Sequence, residues 1–356
     1  MGDASYLKDR ELAEVDTALG FSVVAQMDVH HGAVSGIAAS ADGSKLMVTN
    51  HADNSVSSID TDTGISTPTA GGIDEPFAIA IAGTRAYVST VSAAYDSIVV
   101  IDVNTDRVVE VHPVAHSVRD LGVSPDGRHV YACRTAVQGA DVAVVDTMTG
   151  RVDAIGLQAG AAEAPSKAGA TTECVRVSPD GTRLYVATDG PAGAELAVID
   201  THQRRVIGAV RIGSPIRDVA LSPDGDTAYV LSCGADFSAV LDVVDTAASI
   251  VTATGKITDV GGLVTQLSLS GDGQRAYLVG EQSVVVLSTQ TSDVIGTIAI
   301  GGQPSCVVES PDGNRLYIAD YAGTVSVVAI TSTTASPVVP DELGLLKLPE
   351  LEPAMT

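Results

Sequence analysis

Short apolar segments separated by turn-forming residues recur along almost the whole chain. One repeat unit reads Asp218–Leu221, then a Ser-Pro-Asp-Gly turn, then a segment around Tyr229, and then Val243–Asp245. Segments of this length that are rich in Val and Ile and bounded by Gly, Pro and Asp predict β-strands joined by tight turns. Since the pattern fills most of the chain, it predicts an all-β protein.

One tetrapeptide marks the repeat. Ser-Pro-Asp-Gly occurs four times, two variants replace the proline, and a degenerate copy survives at Ala82–Thr84. In such a turn Pro presets the backbone, Asp suits the next position and Gly takes the left-handed conformation. Seven units predict a seven-bladed β-propeller of four-stranded antiparallel blades. The seven marker glycines are Gly43, Gly83, Gly127, Gly181, Gly225, Gly273 and Gly313.

Each unit supplies four strands, which we name A to D from the central channel outwards. Strand A precedes the tetrapeptide, strand B carries a tyrosine or Met47, strand C ends in Asp, and strand D closes the unit. The last unit lacks a clear strand D after Val325–Val328, whereas the N-terminus has a spare strand at Phe21–Val29. We therefore expect the N-terminal strand to complete the seventh blade, because closure removes exposed sheet edges.

The repeats also set the expected domain organisation. Residues 1–14 form an N-terminal extension, residues 15–330 form a single propeller, and residues 331–356 form a Pro-rich C-terminal tail. The six strand B tyrosines are expected in the core; they are Tyr87, Tyr131, Tyr185, Tyr229, Tyr277 and Tyr317.

The repeat resembles that of the YVTN-repeat, YncE-like family of seven-bladed propellers. The nearest match is Met47-Val48-Thr49-Asn50 followed by Ser57-Ser58-Ile59-Asp60, together with the Ser-Pro-Asp-Gly turns. The resemblance implies the fold but not a function, because its motifs are turns and packing positions. Lactonase-like and haem-d1 propellers share this repeat style, but no haem attachment or ligand pattern occurs here. The absence of Trp disfavours a WD40 protein.

Charge and composition restrict the partners. The chain carries 44 Asp and Glu against 20 Lys and Arg, a formal net charge of −24. This balance argues against nucleic acid and against anionic membrane surfaces, both of which attract Lys and Arg. No apolar run is long enough for a transmembrane helix. The four cysteines are widely spaced, which favours buried, reduced thiols.

The N-terminus bears on localisation. Met1–Asp16 is polar and acidic and lacks the basic and apolar regions of a secretory signal. We expect a cytoplasmic monomer; the alternative is an exported protein whose signal is absent from this sequence.

The loops divide the propeller into two unequal faces. The A–B and C–D turns are short and regular, whereas the D–A and B–C loops are irregular and include an insertion around Gln158–Thr172. Variable loops on a rigid scaffold usually carry function, so we place the site on the D–A/B–C face, at the channel mouth. Counting back about five residues from the first residue of each turn gives one residue per blade at the channel mouth. These mouth residues are Ser35, Phe77, Arg119, Glu173, Arg217, Thr265 and Ser305.

Two Arg-Asp pairs stand out at the mouth. Arg119-Asp120 and Arg217-Asp218 recur on blades 3 and 5, with Glu173 on the blade between them. Two arginines at one mouth can hold a carboxylate or phosphate through bidentate contacts. The alternative is an internal network in which the arginines only neutralise carboxylates of neighbouring blades.

Four aromatic residues fall outside the strand B pattern. Tyr95, Phe237 and Tyr321 lie in B–C loops and Phe77 lies at the mouth, so all four map to the same face. They are candidates for stacking on a planar or apolar ligand. The alternative is that they anchor their loops.

Histidines give weaker signals. His30, His31, His51 and His116 map to the mouth side but lie on non-adjacent blades without a metal-binding spacing. We therefore predict no cofactor and leave a divalent metal open.

Two function classes are compatible with these residues. The first is a binding or scaffold propeller that takes a small anionic ligand or a protein partner on the loop face and channel mouth. The alternative is a small-molecule enzyme of lactonase, isomerase or lyase type. In the enzyme, Arg119, Arg217 and Glu173 would act at the channel mouth, with or without a divalent metal. No phosphate loop, nucleophile elbow or other catalytic motif selects between them.

Overall fold

The predicted seven-bladed propeller is confirmed. The computed structural model describes residues 17–29, 32–69, 73–92, 95–115, 117–136, 139–157, 170–191, 193–258, 260 and 262–334. These residues form seven separate four-stranded antiparallel sheets. Residues 1–14 and the segment 335–356 of the predicted tail lie outside the described residues. The described part contains no helix that is long and apolar enough to span a membrane.

The strands follow the predicted order A to D within each blade. Blades 1 and 2 consist of β2 (Val34–Ala39), β3 (Lys45–Asn50), β4 (Ser55–Asp60), β5 (Ser66–Pro68), β6 (Pro76–Ala82), β7 (Arg85–Thr90), β8 (Ser97–Asp102) and β9 (Arg107–Pro113). Blades 3 and 4 consist of β10 (Val118–Val123), β11 (His129–Ala136), β12 (Gly139–Asp146), β13 (Val152–Gly156), β14 (Thr171–Val177), β15 (Arg183–Asp189), β16 (Ala194–Asp200) and β17 (Arg205–Ile212). A 3-10 helix at His51–Asp53 joins β3 to β4.

Blades 5 and 6 consist of β18 (Ile216–Leu221), β19 (Thr227–Cys233), β20 (Ala239–Asp245), β21 (Ile250–Ile257), β22 (Gln266–Leu269), β23 (Arg275–Val279), β24 (Val284–Ser288) and β25 (Val294–Ile298). Blade 7 consists of β26 (Pro304–Glu309), β27 (Arg315–Asp320), β28 (Thr324–Thr334) and β1 (Thr17–Asp28). The A strands contact one another in sequence, and β26 contacts β2, so the ring is closed.

The N-terminal strand completes blade 7, as predicted. β1 pairs antiparallel with β28, in a register that joins Thr17 to Thr334 and Asp28 to Thr324. Both strands are longer than expected: β1 begins four residues before Phe21, and β28 continues four residues past 330. Pairing β1 with β28 in one sheet leaves the ring without a break between blades 7 and 1.

The core lies between adjacent blades. One cluster, for example, combines Tyr185 and Leu196 of blade 4 with Ile216 and Val230 of blade 5. All six strand B tyrosines and Met47 are buried, as predicted. Since aromatic and branched side chains fill both faces of the sheets, strands B and C carry most of the apolar burial.

The Ser-Pro-Asp-Gly turns are held by their own side chains. Ser178 Oγ donates to Asp180 Oδ1 at 2.6 Å, and Asp180 Oδ1 also accepts the backbone N–H of Thr182 at 3.0 Å. The hydrogen bond from Ser178, with those from Thr182, lowers the pKa of Asp180 to about 2. Gly181 has φ +73°, a conformation that favours glycine. The turn is therefore specified locally, independently of the rest of the blade.

Candidate ligand-binding site at the channel mouth

Bulges at the start of the A strands position the mouth residues. The register of β10 against β11 shifts between Val118 and Asp120, and that of β18 against β19 shifts between Ile216 and Asp218. Arg119 and Arg217 are therefore the extra residues of their bulges. A bulge leaves its extra residue out of the ladder and re-aims its side chain. Ser35, Phe77, Glu173 and Ser305 fall within corresponding shifts in other blades.

The bulged residues surround one cavity at the channel mouth, with a volume of about 580 Å³. All seven predicted mouth residues line it, and so does the residue that follows each of them. Tyr321 lines it as well, whereas Tyr95 and Phe237 do not. The structure thus brings Arg119, Glu173 and Arg217 together, while their role in binding stays a prediction.

Arg176 lies in the same cavity, although it was not among the residues predicted from the sequence. It lies three residues after Glu173, the mouth residue of blade 4. The other six blades carry uncharged residues at the equivalent position. A single long cation at that channel-facing position was the signal that could have identified it. The residues at the equivalent positions are Ala38, Ala80, Gly122, Ala220, Ser268 and Val308.

Arg176 joins three blades through one guanidinium group. Its Nη1 contacts Asp120 Oδ2 of blade 3 at 2.5 Å, and its Nη2 contacts Asp218 Oδ1 of blade 5. Its Nε donates to the carbonyl oxygen of Val219 at 2.7 Å. An Arg–carboxylate network therefore exists at the mouth, as the alternative interpretation expected, but its cation is Arg176 and not Arg119 or Arg217.

The two aspartates also bind backbone groups of the next blade. Val175 N donates to Asp120 Oδ2 at 3.1 Å, and Leu267 N donates to Asp218 Oδ2 at 2.8 Å. Gln266 repeats the contact one blade further, where its Oε1 accepts from a backbone N–H at 2.8 Å. In each case a side chain of the preceding blade satisfies a backbone N–H near the start of the next A strand. Asp120 and Asp218 therefore fasten adjacent blades to one another.

Burial makes this network electrostatically strong. Burial raises the pKa of the Asp218 carboxyl, and the nearby Arg176 offsets only part of that shift. Burial acts to lower the pKa of Arg176, but Asp218 and Asp120 raise it well above its ordinary value. Arg176 is therefore permanently charged, and its charge is taken up by the carboxylates beside it.

Arg119 and Arg217 are free of this network. Both side chains are exposed, and neither guanidinium has an ion-pair or hydrogen-bond partner among the described residues. Between them, Glu173 is partly exposed and accepts a hydrogen bond from Thr171 Oγ1 at 3.3 Å. The rim of the mouth thus carries two cations that are unpaired within the described ranges, and one anion between them.

The aromatic side chains at the mouth lie on other blades. Phe77 is 43% exposed and Tyr321 is 50% exposed. The imidazole of His51 stands edge-on to Phe77, with ring centroids 6.1 Å apart. Tyr95 and Phe237 are more exposed, at 61% and 74%, and lie outside the cavity. None of the four rings is buried, and both ligand stacking and loop anchoring stay predictions for them.

Of the four candidate histidine ligands, only His51 lies within the described residues. His30, His31 and His116 lie outside the described residues. Within the described ranges, no three His, Cys, Asp or Glu side chains form a group that could hold a metal ion. All four cysteines are buried. Burial raises the pKa of Cys133 to about 12, so that thiol is protonated at neutral pH.

Known proteins share this architecture. The chain is 49% identical over 361 residues to the seven-bladed beta-propeller protein Rv1057 of Mycobacterium tuberculosis, covering 92% of this chain and 90% of that protein. A seven-bladed beta-propeller protein of Mycolicibacterium smegmatis is 40% identical over 76 residues, which cover 21% of this chain and 19% of that protein. No protein-family model matches the chain.

A solved structure shows the same fold at low identity. Hydrazine synthase of Kuenenia stuttgartiensis is similar with a TM-score of 0.70 and 20% identity, covering 87% of this chain and 98% of that one. At this identity the similarity extends to the fold alone. By its high identity to the Mycobacterium tuberculosis protein over almost the full length, the chain belongs to the family of seven-bladed β-propeller proteins.

Proposed function

We propose that this protein is a binding propeller whose channel mouth takes up a small anionic ligand through Arg119 and Arg217. The observation that carries the proposal is that the arginines at the mouth differ in their ion pairing. Arg176 is the cation that pairs with Asp120 and Asp218, and the two rim arginines stay unpaired among the described residues. A cation without a carboxylate partner in a chain of net charge −24 is available to an anion from solution.

The position of the two arginines supports the same conclusion. Each is the extra residue of a bulge, so the ladder pairs immediately before and after it fix its backbone. The guanidinium is always charged and offers a planar fork of donors to carboxylate or phosphate oxygens. The cavity volume of about 580 Å³ suits a small molecule.

The test is titration calorimetry with inorganic phosphate and with acetate, at low ionic strength so that screening is weak. We expect the double variant Arg119→Ala/Arg217→Ala to weaken binding by about tenfold or more, since hydrogen bonds to charged groups contribute strongly. The control is Arg107→Ala/Arg205→Ala, which removes two exposed arginines at the starts of the D strands. Equal weakening in both pairs, or no binding to the unaltered protein, would refute the proposal.

Glu173 allows a test of opposite sign. Its carboxylate lies on the blade between the two arginines and opposes an incoming anion. Glu173→Gln keeps the shape of the side chain and removes the charge, so we expect phosphate to bind several-fold more tightly. A variant that binds less tightly would show that Glu173 contributes to the site directly.

A protein partner on the same face is the second candidate. Phe237 favours it, because its ring is exposed and its backbone is left-handed, with φ +61°. Few bulky residues adopt this backbone conformation. Its loop is held by hydrogen bonds from Ser238 Oγ to Asp236 Oδ1 and from Gly234 N to the Ser238 carbonyl oxygen. Exposed, rigidly held aromatic rings are typical anchors of protein interfaces. The enzyme alternative has no comparable support.

The finer family placement is also a proposal. We assign the chain to the YVTN-repeat, YncE-like propellers on the strength of its Ser-Pro-Asp-Gly turns and the Met47–Asn50 strand.

A further inference from the structure

We infer that the ligand is an organic anion with a planar apolar body, and that it lies across the mouth in one fixed direction. The inference rests on the proposed function, since the anionic group is the one held by Arg119 and Arg217. It adds the chemistry of the other half of the ligand and the residues that recognise it.

The mouth has a charged side and an aromatic side. Arg119, Glu173 and Arg217 come from the consecutive blades 3, 4 and 5. Phe77 comes from blade 2 and Tyr321 from the loop after β27 of blade 7. Because the A strands contact one another in ring order, blade 1 separates the two aromatic residues. The rings thus lie on the side of the mouth that carries no arginine.

Small residues occupy the mouth between the rings. Blade 1 contributes Ser35 and Gly36 to the cavity lining at the mouth, followed by Ile37 further along strand A. A Cβ atom on Gly36 would stand 2.8 Å from the carbonyl oxygen of Phe77, so only glycine permits this close approach. The two mouth positions of blade 1, which lie between Phe77 and Tyr321 in ring order, therefore carry no large side chain.

The backbone beneath both rings is fixed. Thr49 Oγ1 donates to the Phe77 carbonyl oxygen at 2.8 Å, and Ser35 Oγ donates to the same oxygen at 3.2 Å. Asp320 Oδ1 accepts the N–H groups of Ala322 and Thr324, which closes the turn that carries Tyr321. A fixed backbone beneath an exposed ring reduces the entropy that is lost when the ring binds a ligand.

A simpler ligand would contact only one side of the mouth. Inorganic phosphate or acetate leaves Phe77 and Tyr321 in contact with water, and a neutral aromatic molecule leaves the two arginines unpaired. An aromatic carboxylate satisfies both halves and fits the cavity of about 580 Å³.

The test compares three probes on the unaltered protein: 2-naphthoate, acetate and the neutral 2-naphthalenemethanol. We expect 2-naphthoate to bind about tenfold or more tighter than either of the others, since it alone engages both sides. Ligand-observed NMR or calorimetry measures the three affinities. If acetate binds as tightly as 2-naphthoate, the inference falls while the proposed function stands. If none of the three binds, both fall.

Variants then locate the two halves of the ligand. Phe77→Ala and Tyr321→Ala are expected to remove the advantage of 2-naphthoate over acetate and to leave acetate binding unchanged. Tyr95→Ala and Phe237→Ala are the controls, because these exposed rings lie on the same face outside the cavity. If the controls weaken 2-naphthoate as much as Phe77→Ala does, the assigned aromatic side is wrong. If Arg119→Ala/Arg217→Ala leaves 2-naphthoate binding intact, the assigned anionic side is wrong.

Discussion

Pro223 of blade 5 packs directly against Gly273 of blade 6. A Cβ atom on the glycine would stand only 2.6 Å from Pro223 Cδ. The same approach joins Pro179 to Gly225, at 3.0 Å. The proline of one Ser-Pro-Asp-Gly turn therefore supports the glycine of the next, and the motif serves contacts between blades as well as its own turn.

This contact predicts that Gly273→Ala is destabilising. The glycine has φ +71°, and the added methyl group would displace Pro223. We expect a loss of about 1–3 kcal/mol in the free energy of unfolding, measured with urea. Gly255→Ala is the control, because Gly255 lies in β21 and no atom of the described residues approaches its Cβ position within 4 Å. Equal effects of the two substitutions would show that the contact between blades contributes nothing.

Most of the fold could be read from the sequence because each turn is specified locally. The hydrogen bonds of Ser178 and Asp180 lie within one turn, so their pattern is visible without any long-range information. The pairing of β1 with β28 was also predictable, since one strand was missing at the C-terminal end and one was spare at the N-terminal end. The lengths of both strands were not, because the sequence sets no stop signal there.

The site was only partly predictable, for a physical reason. Counting along strand A places Arg119 and Arg217 at the mouth, but it does not reveal which cation an aspartate pairs with. Asp120 and Asp218 follow those arginines in sequence, yet both contact Arg176, which lies on the blade between them. Such pairing depends on the bulges and on the width of the channel, and neither is encoded in the residue spacing.

Tyr277 is expected to stabilise the junction of blades 6 and 7 through its hydroxyl group. The hydroxyl donates to Glu309 Oε2, and both side chains are buried. Tyr277→Phe leaves a buried carboxylate oxygen without that donor, so we expect a loss of about 1–3 kcal/mol in chemical denaturation. Tyr185→Phe is the control, because no described residue hydrogen-bonds to its hydroxyl. A similar loss in both variants would contradict a specific role for Glu309.

The turn aspartates are expected to make the protein sensitive to acid. Hydrogen bonds from Ser178 and Thr182 lower the pKa of Asp180 to about 2, and Ser40 and Ser44 do the same for Asp42. A carboxyl whose pKa is lower in the folded state stabilises the fold above its unfolded pKa, and this contribution is lost as the pH falls.

The loss for Asp180 and Asp42 therefore falls between about pH 4 and pH 2. Urea unfolding across that range measures it. Ser178→Ala removes the main donor to Asp180, so its stability should depend less on pH than that of the unaltered protein. An unchanged pH dependence in this variant would contradict the assignment.

Arg176→Met is expected to cost about 3 kcal/mol at neutral pH, because it leaves Asp120 and Asp218 facing each other without their cation. The loss should depend on pH. Burial already raises the pKa of Asp218, and removing Arg176 raises it further. A carboxyl whose pKa is higher in the folded state loses stability as the pH rises from the unfolded pKa through the folded one. The free energy of unfolding of the variant should therefore differ least from that of the unaltered protein near pH 4 and most near pH 8.

Two further variants separate charge from packing in this prediction. Arg119→Met removes an exposed guanidinium at the same mouth that is unpaired among the described residues, so we expect its stability to change by less than about 0.5 kcal/mol at any pH. Adding Asp120→Asn and Asp218→Asn to Arg176→Met removes the unneutralised charges and keeps acceptors for Val175 N and Leu267 N. This triple variant should recover part of the lost stability at pH 8 and gain little at pH 4. A loss in Arg176→Met that is the same at both pH values would mean that the side chain acts by filling the channel, not by neutralising the two aspartates.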